Sequence, residues 1–112
     1  MANALKSAFN AHIINSGSHI PDDNLSQIQV VNATELSSLI ILCNTIKDKF
    51  NEHVVKGPND IHKISDIGNI IVSTSSTDLN TAIALVNEIR AKFNVHRTLS
   101  GVHYIDDIVN VV

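Results

Sequence analysis

The chain carries six histidines, and all six stand in a fixed relation to other chemically capable residues. His19, His62 and His103 are each followed four residues later by an aspartate: Asp23, Asp66 and Asp107. His12, His53 and His96 each close a word Phe-Asn-x-His, read from Phe9-Asn10, Phe50-Asn51 and Phe93-Asn94. Histidine and aspartate suit zinc, nickel or iron, and a carboxylate often orients a ligating imidazole. The same pair also serves as a structural pin. A ring that donates to an aspartate or a backbone carbonyl fixes the loop that returns the chain to its next helix. Three copies would give three small metal sites, one shared cluster near a pseudo-threefold centre, or three pins. No metal-site spacing such as His-Glu-x-x-His is present. A catalytic site is normally made once, whereas a structural device is copied with its unit. The expectation is therefore no metal and no catalytic residue. The alternative is a small metal-binding protein, extending to a metal-dependent hydrolase, with ligation by His12, His19, Asp23, His53, His62, Asp66, His96, His103 and Asp107.

These words belong to a longer internal repeat, the first thing to seek in any chain. A basic residue precedes each Phe by three (Lys6, Lys47, Arg90) and an apolar one by four (Leu5, Ile46, Ile89). Seven residues after the second His stand Ser26, Asn69 and Asn110. Asn32-Ala33-Thr34-Glu35-Leu36 matches Ser75-Ser76-Thr77-Asp78-Leu79, and the first copy starts too late to have this part. The middle copy is longer between its histidines, through Gly57-Pro58-Asn59. The units run approximately over 1–31 (truncated), 32–74 and 75–112, within a single domain spanning 1–112.

The elements that must position these residues are helices. Asn32 with Glu35, and Ser75 with Asp78, read as helix starts, an oxygen-bearing cap followed three residues on by an acid. Apolar residues then recur at helical spacing. They are Leu36, Leu39, Ile40, Cys43, Ile46 and Phe50 in one copy, and Leu79, Ala82, Ile83, Val86, Ile89 and Phe93 in the next. The helices should end near His53 or Val54 and near His96 or Thr98, with a shorter one from about Asn3 to Ile14. Ile41, Leu42, Ala84 and Leu85 lie off the stripe and imply more than one neighbour. The runs Ile28-Gln29-Val30-Val31, Asn69-Ile70-Ile71-Val72 and Asn110-Val111-Val112 are extended linkers or brief strands. The fold class is mainly all-α, a small helical bundle of two full and one truncated helix-plus-linker repeats. Each unit is too small to bury its own stripe, so the copies must pack together.

Other chemistry is thin. Asn10, Asn51 and Asn94 sit near helix ends, where asparagine bonds neighbouring backbone, here the returning linker. Cys43 occupies the stripe where the third copy has Val86, a small core residue rather than a nucleophile. A lone cysteine makes no internal disulfide, and a reducing compartment is the simplest reading. Asp22 with Asp23, and Asp106 with Asp107, are sequence neighbours whose carboxylates usually point apart. No glycine-rich phosphate loop is present. The expectation is no enzyme and no cofactor.

Composition narrows the partners. Charged residues are 17% of the chain and the net charge is -3, which argues against a phosphate-backbone binder. No apolar run reaches 18 residues, so no membrane span is expected. The segment Met1 to His12 lacks the apolar core of a signal peptide.

The words from Ile89 to His96 and from Gly101 to Asn110 resemble a repeat of structural proteins in tailed bacteriophage virions. That repeat has the pattern Leu-(Lys/Arg)-Ala-Lys-(Tyr/Phe)-Asn-x-His, a small loop, then His-x-x-x-Asp-x-x-Asn. The resemblance covers nearly the whole chain, is best in the third copy, and is weakest in the first, where Pro21 and Ser26 depart from it. It implies a non-enzymatic virion component, an assembly or decoration unit on capsid or tail. Such a unit is made in the host cytoplasm, forms a homo-oligomer and binds other virion proteins.

Overall fold

The computed structural model describes all 112 residues. Three helices, α1 (Ala2–His12), α2 (Leu36–Val54) and α3 (Leu79–His96), carry the chain, and no strand forms. The protein is a small all-α bundle. Isolated bridges such as Ile20 with Ile61 are the nearest approach to a sheet. The β-branched runs are extended connections, the first two led into by short 3-10 turns at Asn24–Ser26 and Ile67–Asn69.

The long helices begin on their acids rather than three residues earlier. Glu35 and Asp78, not Asn32 and Ser75, occupy the cap position. The hydroxyls of Ser38 and Thr81 explain the shift. Each reaches back to accept from the two backbone N–H groups preceding the helix. Asp78 in turn accepts from the Thr81 N–H at 2.8 Å. These reciprocal bonds satisfy donors a helix start leaves free.

Phe9, Phe50 and Phe93 meet one another edge to face, with ring centroids 6.2, 6.2 and 6.5 Å apart. One aromatic from each helix therefore defines a pseudo-threefold axis through the core. Leu5, Leu42, Cys43, Ile46, Leu85, Val86 and Ile89 surround it, with Ile28 and Ile71 folded in from the connections. The expected stripe needs correction at its N-terminal end. Leu36, Leu79 and Ile83 are 48, 49 and 46% exposed, while the off-stripe Leu42 and Leu85 are buried. The cause is the short first helix. The N-terminal halves of α2 and α3 run past it with no third partner, so they pack on each other through a different face.

The connections are held by asparagine. Asn10, Asn51 and Asn94 each use both side-chain ends on one linker residue, Ile28, Ile71 and Val112. Each amide imitates a strand neighbour and satisfies backbone that no sheet supplies. No helix is long and apolar enough to cross a membrane.

Candidate metal centre

Two rings of histidine stack on the phenylalanine triangle. His12, His53 and His96 follow their Phe by three, which places them on the same helix face one turn on. They sit directly over the aromatics, with centroids 5.5 Å for Phe9–His53, 5.5 Å for Phe93–His12 and 5.8 Å for Phe50–His96. His19, His62 and His103 form the layer above. Their loops are stitched head to tail by backbone bonds: Ile20 N–H to Ile61 O, Lys63 N–H to Val102 O and Tyr104 N–H to Ser18 O, at 2.8 to 3.1 Å. In every case the residue after one histidine donates to the residue before the next. The third bond closes the circle back to the first copy. Ile61 holds a left-handed φ of 67°, rare for a β-branched residue, and its reciprocal bonds with Ile20 hold that conformation beside His62.

The aspartates form a third closed ring. Each serves the helix histidine of another copy rather than the histidine four residues before it. His53 Nδ1 lies 2.7 Å from Asp23, His96 Nδ1 2.7 Å from Asp66, and His12 Nδ1 2.9 Å from Asp107. Backbone geometry dictates this crossing. The N–H groups of Asp23, Asp66 and Asp107 bond to the carbonyls of Ile13, Val54 and Arg97, each one residue past a helix histidine of the same copy. That bond turns the side chain outward to the next helix. Asn69 and Asn110 donate to the carboxylates of Asp66 and Asp107. The first copy has Ser26 instead, and Lys56 bridges it to Asp23, 2.6 Å from the carboxylate.

The six imidazoles occupy the vertices of an octahedron. Every ring packs edge to face on every other with centroids 4.5 to 5.2 Å apart, except for three pairs: His12 with His62, His19 with His96, and His53 with His103. Those pairs are opposite corners, each joining a helix histidine to a loop histidine of another copy. Five of the six, all but His62, offer donor atoms within 4.8 Å of one another. His62 completes the set with its Nε2 3.2 Å from that of His53.

The outer partners fix what the inner nitrogens present. Aspartate accepts only, so it draws the proton of His12, His53 and His96 to Nδ1 and leaves the Nε2 lone pair facing inward. The Lys56 carbonyl does the same for His62, at 2.7 Å from its Nδ1. The close approach of His53 and His62 is therefore two lone pairs converging, not a hydrogen bond. No protein group bonds Nε2 of His12 or His96, or either nitrogen of His19 and His103. All six rings are 4% exposed or less. Orphaned buried groups cost about 1–3 kcal/mol each. Six such nitrogens weigh heavily against a net stability of about 5–15 kcal/mol for a domain this size. A cation at the centre would take up four of the six, Nε2 of His12 and of His96 and one nitrogen each of His19 and His103.

Burial holds the rings neutral, as ligation requires. It pushes His53 well below its usual value, aided by the neighbouring rings. His96 falls to about 4 and His19 to about 2, burial leading in both. His12, His62 and His103 move the same way for the same reason. Burial pushes the Asp107 carboxyl up, but bonds from His12 and Asn110 prevail and hold it below the carboxylate range. Asp66 is lowered likewise by His96 and Asn69.

All nine histidines and aspartates singled out from the sequence thus come together around one axis, the imidazoles inside and the carboxylates outside. Cys43 is buried in the apolar core, away from the centre. Sequence reasoning passed over Lys56, which lies outside the repeated words. It also passed over a second asparagine seven residues before the Asn of each Phe-Asn word. Asn3 clamps Ala33 and Asn44 clamps Ser76, with Asn87 at the third equivalent position. The seven-residue spacing was the available signal. No family model, curated protein or solved structure matches this chain.

Proposed function

We propose that this chain is a metal-binding protein in which six histidines hold one transition-metal ion as a structural centre. The observation that carries the reading is the octahedral set of buried imidazoles, with four inward lone pairs fixed by outer partners. Structural metal sites are closed by protein ligands, whereas catalytic ones keep a position open for water or substrate. Six imidazoles leave no such position, so the reading is non-enzymatic. The ion joins all three repeats at once and acts as a staple. Native mass spectrometry of protein purified without chelator tests this. One metal ion per chain is expected, lost on acid denaturation. A metal-free chain that takes up none of manganese, iron, cobalt, nickel or zinc would overturn it.

The setting we propose is a bacteriophage virion, with the stapled bundle as an assembly or decoration unit meeting other virion proteins or further copies of itself. Two things support it: the resemblance of the repeat, and the half-exposed Leu36, Leu79 and Ile83 with Ile41 on the unpartnered ends of α2 and α3. Sedimentation at increasing concentration is the test. A larger species is expected, and a monomer throughout with no binding to virion components would count against it.

A further inference from the structure

Resting on the metal reading above, we infer that the centre selects a six-coordinate dication of the iron, cobalt and nickel kind over zinc. Spacing is the first argument. A metal about 2.1 Å from each nitrogen puts adjacent donors about 3.0 Å apart and opposite ones about 4.2 Å apart. The 3.2 Å between His53 and His62, and the 4.8 Å limit on the other five, fit that figure with little adjustment.

Rigidity is the second argument. Zinc has no electronic preference for six ligands and settles in four-coordinate sites. Four-coordination here would strand two buried imidazoles. The rings cannot regroup freely, because His12, His53 and His96 are pinned by aspartate from outside and His62 by the Lys56 carbonyl. The backbone ring holds the loops that carry His19, His62 and His103. A metal that gains by octahedral coordination loses nothing in this frame, whereas zinc would leave orphaned nitrogens.

Donor type and charge narrow the class further. All six inner donors are imidazole, which suits nickel, iron and zinc, while magnesium, calcium and manganese favour oxygen. The three carboxylates stand one shell out, and Lys56 is the one cation side chain besides histidine ion-paired with any of them. Arg97 lies beside Asp107 and donates to its backbone carbonyl, so the carboxylate shell is only partly neutralised and favours a cation at its centre. Enclosure is complete, with the phenylalanine triangle below and the stitched loops above, so exchange requires the bundle to open.

The test is competitive loading of the full chain. Denatured, metal-stripped protein is refolded anaerobically with equimolar manganese, iron(II), cobalt, nickel and zinc, and the bound metals are counted. Nickel is expected to exceed zinc at least tenfold. Cobalt-loaded protein should show the weak visible bands of six-coordination, and X-ray absorption should count six nitrogen neighbours around nickel. Zinc bound equally or better, or a four-coordinate cobalt spectrum, overturns the selectivity while the metal reading stands. Uptake of no metal overturns both. A His62→Ala variant should admit water at the opened vertex and bring the nickel-to-zinc ratio down at least threefold. An unchanged ratio with the variant loaded would contradict a six-histidine shell. The wild-type measurements decide the matter if that variant does not fold.

Discussion

Asp107→Asn is nearly isosteric, yet it should damage both the fold and the metal site. The Asp107 carboxylate is fully buried. One oxygen accepts the N–H groups of Val109 and Asn110, at 3.0 and 3.1 Å. The other accepts from Asn110 Nδ2 and from His12 Nδ1, both at 2.9 Å. An asparagine keeps its oxygen on the two backbone donors and so turns its NH2 toward His12. His12 then switches tautomer, and Nε2–H points where a lone pair is required. Losing a hydrogen bond to a charged group costs about 1.5–3 kcal/mol, or about 6–24 °C in Tm for a chain of this size. Altering an outer partner of a ligating histidine lowers metal affinity about 10–100-fold. The assay has two parts: thermal unfolding of the metal-free protein, and nickel affinity by competition with a chelator. A Tm within 2 °C of wild type, at about 4–8 °C per kcal/mol, with unchanged affinity, would refute the claim that Asp107 sets the His12 tautomer.

Three further outcomes follow from the same geometry. Phe50→Ala empties one corner of the fully buried aromatic triangle and should cost about 3–5 kcal/mol, read from the urea midpoint; a loss below 1 kcal/mol would place Phe50 outside the core. Asn51→Asp removes the donor to Ile71 O and turns a carboxylate on that carbonyl, costing about 1–3 kcal/mol, whereas Glu52→Gln on the surface should be near neutral. In metal-free protein the folded-state imidazoles are depressed from 6.5, so below that pH the unfolded chain binds more protons than the fold. Stability should be full above pH 6.5 and fall as pH drops toward about 4, where His96 titrates. Urea midpoints that hold or rise between pH 7.5 and 5 would contradict it.

The repeat, the three helices and the central place of the phenylalanines were legible because scarce residues recur in register and their apolar companions keep helical spacing. The Asn linker bonds were legible for the same reason. The pairing of aspartates was not. His19 and Asp23 stand four apart, which on a helix would join them, but the chain there is a turn anchored by the Asp23 N–H on Ile13 O. Local spacing carries no record of such an anchor, so the crossing to His53 is visible only in three dimensions. Convergence of the six rings depends likewise on closing the third copy onto the first, through His12 with Asp107 and Tyr104 with Ser18. The helix caps were misplaced because Asn32 and Ser75 are good caps by type, and the back-bonding of Ser38 and Thr81 decided otherwise. Leu36 and Leu79 read as core because a stripe shows which face is apolar, not where its partner helix stops.

Anomalous X-ray diffraction from crystals of chelator-free protein, recorded on both sides of the nickel and iron absorption edges, addresses the central claim most directly. One anomalous peak is expected at the centre of the six imidazoles, about 2.1 Å from each inward nitrogen. Well-ordered rings around that point with no peak at any edge, or a peak bound by other residues, would contradict a six-histidine metal centre.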